Sequence, residues 1–208
     1  MDLTFLISAY VTLFVIIDPV GLAPLYIALT DGMSPQRRRL TGLRALAVAA
    51  ILLTLFALAG DGILSFIGIS LPAFRIAGGV LLFLTALDML FERRTRRREG
   101  QAQEEVPHDP GDDPSVFPLA TPLLAGPGAL ASMILLSGQG EGVVHMALVI
   151  AVMLAVLATT WVMFVVSVPL ARALGATGTM VVTRLLGMLL AALSIQFVID
   201  GLKGTGLF

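Results

Sequence analysis

The hydrophobic residues of this chain form long continuous runs that are separated by short polar segments. Six runs, each with at most two charged residues, lie at about residues 3–30, 40–60, 72–91, 117–138, 144–172 and 180–201. Each run is long enough to cross a hydrocarbon core of about 30 Å as a helix. None shows the strict alternation of a membrane β-strand. The pattern predicts an all-α membrane protein with six transmembrane helices.

The composition supports this prediction and excludes several other classes of protein. Of the 208 residues, 57% are hydrophobic and 13% are charged, whereas a soluble domain carries about 25% charged residues. The net charge of −1 offers no basic surface for nucleic acid, and a sequence without cysteine excludes disulfides and cysteine-rich metal sites. Neither of the two histidines belongs to a plausible metal cluster, and no nucleotide-binding fingerprint occurs. We expect no metal and no cofactor.

An intramembrane enzyme is the least favoured class of protein. A serine protease would need a nucleophile paired with a histidine, and the weak match at Gly68-Ile69-Ser70 has a poor partner in His145. The turn around Asp61 has the wrong residue order for an intramembrane aspartyl protease. The sequence therefore predicts a protein that is not an enzyme.

The arginines mark the predicted cytoplasmic side. They cluster in or beside loops one, three and five, whereas loop two (61–71) and loop four (138–143) carry no lysine or arginine. The positive-inside rule therefore places loops one, three and five in the cytoplasm and both termini outside. The arginines concerned are Arg37, Arg38, Arg39, Arg44, Arg93, Arg94, Arg96, Arg97, Arg98, Arg172 and Arg184.

The longest polar stretch, 92–116, predicts a flexible cytoplasmic linker. Its run His108-Asp109-Pro110-Gly111-Asp112-Asp113 could bind a cation, but a solvated linker is the favoured interpretation. The linker divides the chain into a first unit, 1–91, and a second unit, 117–208.

The two units repeat one another. Because each contains three spans, the second unit enters the membrane from the opposite side, and the repeat is inverted. We predict two inverted three-helix repeats in which helices one and four are broken by proline pairs. The matches are Pro19 on Pro122 and Pro24 on Pro127 at a shift of 103 residues, and Arg75 on Arg184 and Gly78 on Gly187 at a shift of 109.

Each proline pair predicts about one unwound turn within the membrane. Proline lacks an N–H donor and clashes with the carbonyl four residues back, and unwound backbone is tolerated there only when protein buries it or it lines a wet cavity. Pro24 and Pro127 suit the first position of the following half-helix, whose N–H groups would bind a substrate carboxylate. Asp18 precedes one pair and Thr121 the other. Asp18 would then bind an ammonium group or a coupling proton.

The predicted substrate-binding residues lie at these two breaks, with two arginines as weaker candidates. Other interpretations stay open: the prolines could form kinks without a ligand, Asp18 could be a helix cap or a partner of Arg75, and both arginines could be structural anchors. The predicted set is Asp18, Pro19, Gly21, Ala23, Pro24, Thr121, Pro122, Gly126, Pro127, Gly128, Arg75 and Arg184, with Asp18 also predicted for proton coupling.

These motifs resemble those of the MarC family of integral membrane proteins, which includes the SnatA-type transporters. The resemblance rests on the runs IDPVGLAP at 17–24, FPLATPLLAGPG at 117–128 and RIAGG at 75–79, and on a similar layout over nearly the whole chain. It implies a bacterial or archaeal inner-membrane protein. It also implies proton-coupled secondary transport of small neutral amino acids such as glycine and alanine.

A second function from another class stays open at this point. A non-transporting membrane scaffold or sensor, linked to stress or antibiotic-resistance phenotypes, is suggested by the charged 92–116 linker. The expected partners are a small neutral amino acid and the lipid bilayer, and not nucleic acid. Glycine-rich helix faces also permit a homo-oligomer.

Overall fold

The computed structural model describes residues 3–91 and 113–206, and this part of the chain is helical throughout and contains no β-strand. Within each of these two ranges, short turns connect one helix to the next. The helices are α1 (Leu3–Ile17), α2 (Pro19–Leu29), α3 (Pro35–Ile67), α4 (Leu71–Leu90), α5 (Ser115–Leu124), α6 (Pro127–Ser137), α7 (Val143–Val165) and α8 (Ser167–Gly204).

These helices provide up to six membrane spans, as the sequence predicts. Five are long and apolar enough to cross a bilayer: α1 with α2 as one span of 27 residues, then α3, α4, α7 and α8. The sixth is the pair α5 and α6, which bends by 58° between its two parts. The all-α membrane class is therefore confirmed.

Helix α3 is longer at both ends than the predicted span 40–60. The hydroxyl of Ser34 accepts a hydrogen bond from the Arg37 N–H, and Pro35 follows at the first helical position. Such a cap starts a helix, so the arginines of loop one lie in its first turns. The helix continues to Gly68, whose φ of 82° ends it, and Asp61 is therefore helical and not in a loop.

The region predicted as span five and loop five is divided differently from the expectation. Helix α7 ends at Val165, and α8 begins at Ser167. Within α8 the backbone departs from helical angles at Gly175, where φ is 61° and ψ is −179°. Of the predicted linker, 92–112 lies outside the described residues, and Ser115 already belongs to α5.

Side-chain contacts show which helix ends lie together at each of the two ends of the bundle, which we call its faces. The ring of Phe5 in α1 lies 5.3 Å from that of His145 in α7, which joins the beginning of the chain to loop four. A Cβ on Gly138 would lie 2.8 Å from Leu71, and one on Gly204 would lie 3.2 Å from Pro72. Both described ends of the chain and loops two and four therefore share one face.

The other face carries most of the arginines that the structure describes. Here the Tyr26 hydroxyl bonds to the Arg38 carbonyl, Arg38 bonds to Ser167, and Arg44 pairs with Asp113. These contacts unite loop one, the entry to α5 and the junction of α7 with α8. We call this end of the bundle the arginine-rich face. Its assignment to the cytoplasm stays a prediction.

Helices α4 and α8 pack closely and run antiparallel. A Cβ on Gly79 would lie 2.7 Å from the Ser194 carbonyl oxygen, and one on Gly187 would lie 2.9 Å from the Cβ of Met89. Small residues permit such close approach between membrane helices. These two contacts between α4 and α8 therefore position the second unit against the first.

Candidate functional site

The first break consists of one residue, Asp18, between α1 and α2. Its φ of 57° and ψ of 64° lie in the left-handed region, which Asp tolerates better than most residues. Its N–H donates to the Phe14 carbonyl at 2.9 Å, and its own carbonyl accepts from the Leu22 N–H at 3.0 Å. Hydrogen bonds of helical spacing therefore continue on both sides of Asp18, which leaves few backbone groups without partners.

The Asp18 side chain caps α2. Its Oδ1 accepts a hydrogen bond from the Gly21 N–H at 3.1 Å, and the whole residue is 1% exposed. A Cβ on Gly21 would collide with this carboxylate. Glycine at position 21 is thus what allows the carboxylate to fold over the first turn of α2. The helix-cap interpretation of Asp18 is confirmed.

The prediction for the first proline pair was wrong in one respect. Helix α2 begins at Pro19, and Pro24 lies inside it, so no full turn is unwound. The physical reason is that Pro19 already occupies the first helical position, where a missing N–H costs nothing, and the Asp18 carboxylate fixes the helix start there. Pro24 is exposed in the second turn of α2, whereas Ala23 beside it is 1% exposed.

The second break is longer and carries no acidic residue. The backbone of α5 is extended at Phe117 and Thr121, and the Thr121 hydroxyl donates to the Val116 carbonyl at 3.2 Å. The break itself is formed by Ala125 and Gly126. Pro122 is half-buried inside α5. Thr121 thus stabilises α5 locally and does not cap the helix that follows.

Helix α6 begins at Pro127, as predicted. Its N-cap, Gly126, has an extended backbone and provides no side-chain hydrogen bond to the first turn. A Cβ on Gly126 would lie 2.6 Å from the Pro122 carbonyl oxygen, so this position has no room for a side chain. The N–H groups of a helix's first turn have no partners within the helix. The start of α6 therefore offers N–H donors and the positive end of the helix dipole.

The structure brings the two breaks together. A Cβ on Gly128, the second residue of α6, would lie 3.5 Å from Ile16 and 3.5 Å from Leu82. Ile16 precedes Asp18 by two residues, so the first turn of α6 lies against the last turn of α1. The surroundings are closed in this conformation, since Asp18, Ala125 and Ala129 are at most 2% exposed.

Arg75 lies at the opposite end of α6 from the break. Its guanidinium donates to the carbonyl of Gly138, the C-cap of α6, at 3.2 Å. The 11 residues of α6 separate this contact from the break by about 16 Å at 1.5 Å per residue. A cation is stabilised at a helix C-terminus. The position of Arg75 thus favours structural anchoring.

Arg184 is also placed away from the breaks. It is exposed on α8, and Gly187, three residues further on, packs against Met89 in the last turn of α4. Arg184 therefore lies toward the arginine-rich face. Of the predicted set, Gly128 at the start of α6 lies near Asp18 through its contact with Ile16, and the two arginines do not join them.

Sequence reasoning missed a cluster at the arginine-rich face, composed of Tyr26, Arg38, Phe164 and Ser167. The rings of Tyr26 and Phe164 stack with centroids 4.2 Å apart, and Tyr26 is 2% exposed. Arg38 was interpreted with its neighbours as a topology signal alone. The available signal was the tyrosine near the end of span one, but no spacing rule connects it with Phe164.

The described residues contain no group of three His, Asp or Glu side chains that could hold a metal ion. Asp113, at the entry to α5, has a shifted pKa. Partial burial works to raise this pKa, but hydrogen bonds from Arg44 and Ser115 and the charge of Arg44 outweigh burial, so the pKa is lowered.

A helical bundle with two broken spans defines an integral membrane protein. The sequence pattern of MarC family integral membrane proteins matches residues 3–205. The chain belongs to the MarC family.

Relatives of similar length support this assignment. A UPF0056 membrane protein of Methanocaldococcus jannaschii is 35% identical over 207 residues, which cover 98% of each chain. A UPF0056 membrane protein of Archaeoglobus fulgidus is 38% identical over 200 residues, 96% of this chain and 93% of the relative. An Escherichia coli (strain K12) protein named as a UPF0056 inner membrane protein is 35% identical over 198 residues, 95% and 96% of the two chains. No solved structure matches the chain.

Proposed function

We propose that this protein is a proton-coupled secondary transporter of small neutral amino acids, such as glycine and alanine, in the inner membrane. One observation carries the proposal. Asp18, a carboxylate that is 1% exposed, interrupts a membrane span. It follows Ile16, which contacts the start of α6, by two residues. An ionisable residue within a membrane span is costly and commonly marks a substrate or proton pathway.

The two breaks are chemically complementary to an amino acid zwitterion. The uncapped start of α6 would bind the substrate carboxylate, because helix N-termini bind anions through their N–H groups and dipole. Asp18 would meet the ammonium group or carry the coupling proton. Gly21 and Gly126 leave little room beyond the backbone, which favours a small side chain on the substrate.

The order of the elements supports an inverted repeat with a register different from the one first predicted. Pro19 and Pro127 start equivalent half-helices at a separation of 108 residues, and Pro35 and Val143 start the next helices at the same separation. Gly68 and Gly175, both with positive φ, differ by 107 residues. In this register Gly126, and not Thr121, corresponds to Asp18.

Inverted repeats commonly provide alternating access, in which one repeat moves against the other around a fixed midplane site. The antiparallel packing of α4 on α8 is consistent with this arrangement. Because Asp18 is enclosed in the present conformation, transport requires the two sides of the break to open in turn. The conformation described here would be an occluded one.

Flux measurements in liposomes test the proposal. We expect purified protein to accumulate labelled glycine or alanine when a pH gradient is imposed, and Asp18→Asn to reduce this flux to background. The matched control is Asp61→Asn, since Asp61 is exposed on α3. Absence of gradient-dependent flux for every small neutral amino acid would contradict the transport proposal, and wild-type flux in Asp18→Asn would exclude Asp18 from it.

The same liposomes separate transport from the scaffold or sensor hypothesis. That hypothesis rests on the linker, most of which lies outside the described residues. Deletion of 93–110 should leave flux intact if the protein is a transporter. Loss of a cellular phenotype from this deletion, together with no flux from the intact protein, would favour the scaffold.

A further inference from the structure

We infer that Tyr26, Arg38, Phe164 and Ser167 form a latch that keeps the path from Asp18 to the arginine-rich face closed. The inference rests on the proposed function in one point, namely that the opening of this path would serve transport. The contacts themselves are independent of any substrate. Each of the four residues comes from a different helix, namely α2, α3, α7 and α8.

Arg38 connects two helices through two different groups. Its main-chain carbonyl accepts a hydrogen bond from the Tyr26 hydroxyl at 2.7 Å, and its guanidinium donates to the Ser167 hydroxyl at 3.0 Å. The guanidinium carbon also lies 5.1 Å from the centroid of the Tyr26 ring, within the range of a cation–π contact. Movement of α2 away from α3 would break both contacts of Tyr26 with Arg38, and the bond to Ser167 fixes the Arg38 side chain against α8.

The packing around Tyr26 leaves no room for partial loosening. Its ring stacks on Phe164 with an interplanar angle of 4°, and Ser167 is 1% exposed. A Cβ on Gly42, one turn beyond Arg38, would lie 3.0 Å from both the Tyr26 hydroxyl and the Trp161 ring. Such tightly packed elements switch between discrete arrangements and do not deform gradually. The latch is therefore either closed or open.

The latch holds the half-helix that Asp18 caps. Tyr26 follows Asp18 by eight residues, about 12 Å along the axis of α2 at 1.5 Å per residue. Helix α2 thus has the buried carboxylate at one end and the latch at the other. Release of Tyr26 frees the end of α2 at the arginine-rich face, and the outward movement of α2 exposes the first break to that face.

Side-specific thiol labelling tests this inference. The sequence contains no cysteine, so Ala23→Cys places one reporter on α2 between Asp18 and Tyr26, where the native residue is 1% exposed. In right-side-out and inverted membrane vesicles, a membrane-impermeant maleimide should label this cysteine slowly from both sides. Adding Arg38→Met, Ser167→Ala or Tyr26→Phe should raise the labelling rate several-fold from the arginine-rich face alone.

Two matched variants control for general loosening. Arg39→Met removes an exposed arginine next to Arg38, and Tyr10→Phe removes a hydroxyl bond of 2.7 Å to Thr159 between α1 and α7. Neither should change the labelling rate. Unchanged labelling in all three latch variants would overturn the inference, and so would an equal increase from both faces. If Arg38→Met does not elute as a single folded species, the smaller change Ser167→Ala decides the question.

The outcomes for the latch and for transport are distinguishable. An increase in labelling from the arginine-rich face supports the latch even if no amino acid flux is found. Flux in the wild type combined with unchanged labelling in the variants overturns the latch and leaves the transport proposal intact.

Discussion

The two half-helices that follow the breaks share a length and a first residue but differ in their N-caps. Both α2 and α6 contain 11 residues and begin with proline. Asp18 caps α2 with a buried carboxylate on a left-handed backbone, whereas Gly126 precedes α6 with an extended backbone and no side chain. The starts of these two helices therefore differ in chemistry: one has a carboxylate cap and the other has no side-chain cap.

Under the proposed function, this difference would let the two breaks bind the two unlike ends of an amino acid. At the first break the N–H donors of α2 are already occupied in part by Asp18, so the site is acidic. At the second break the N–H donors of α6 have no side-chain cap, so the site attracts anions. A symmetric pair of caps would bind two like groups, whereas under the proposed function Asp18 would bind the ammonium group and the start of α6 the carboxylate.

The largest effect on stability is expected from filling the second break. Gly126→Ala would place a Cβ 2.6 Å from the Pro122 carbonyl oxygen, a main-chain atom that cannot rotate away. We expect a loss of about 2 kcal/mol in the free energy of unfolding, as is typical of overpacking. Gly128→Ala is the matched control, because its Cβ would lie at an ordinary 3.5 Å from its neighbours.

The measurement is an SDS titration in mixed micelles that follows the loss of helix. A clear shift of the midpoint for Gly126→Ala with almost none for Gly128→Ala would sharpen the comparison. Equal midpoints for the two variants would show that the start of α6 is not constrained by Pro122.

At the first break we expect a smaller effect on stability. The variants there should separate the role of Asp18 as a helix cap from its role in flux. Asp18→Asn retains a capping oxygen and tolerates the left-handed backbone, so we expect it to keep stability and lose flux. Asp18→Ala should lose both, with about 1–2 kcal/mol from the missing cap and the left-handed alanine. The two variants are compared by SDS titration and by amino acid flux. Equal stability of Asn and Ala at position 18 would show that the cap contributes nothing.

The sequence predicts the spans well because the signal is the length of an apolar run. The first and third spans were predicted at about 3–30 and 72–91 and are found at Leu3–Leu29 and Leu71–Leu90. The helix start at Pro35 was missed although Ser34 and Pro35 form a recognisable cap, because the neighbouring arginines were assigned to a loop. Charge marks the membrane boundary but does not end a helix.

The details of the site were less predictable, because they depend on contacts between distant residues. By spacing, Pro19 matches Pro122 and Pro24 matches Pro127. The two helices nevertheless start at Pro19 and Pro127. Sequence spacing cannot show which proline of a pair occupies the first helical position when a cap is already present. The latch was invisible for the same reason, since Tyr26 and Phe164 are separated by most of the chain.

The smallest effect is expected at the entry to the second unit, where a carboxylate is exposed to solvent in contrast to Asp18. Arg44 donates to Asp113 at 2.7 Å, and their side chains are 57% and 36% exposed. Solvent screens such a pair, so we expect it to contribute less than about 1 kcal/mol. Arg44→Gln and Asp113→Asn should each lower the SDS midpoint slightly at neutral pH, and the double variant should lower it no further.

The pH dependence of this pair has a definite sign. Since the folded state lowers the pKa of Asp113, its contribution is present above the usual carboxyl pKa of about 4 and is lost as pH falls through the folded value. The difference between wild type and Asp113→Asn should therefore be constant from neutral pH to about 5 and vanish at lower pH. A difference that grows on acidification would show that Asp113 is repelled, and not held, by its surroundings. The two carboxylates should also differ in their response to salt. The contribution of the Arg44–Asp113 pair to stability should fall as salt is raised, because dissolved ions screen exposed charges. The contribution of Asp18 should not change with salt, because protein encloses this helix cap.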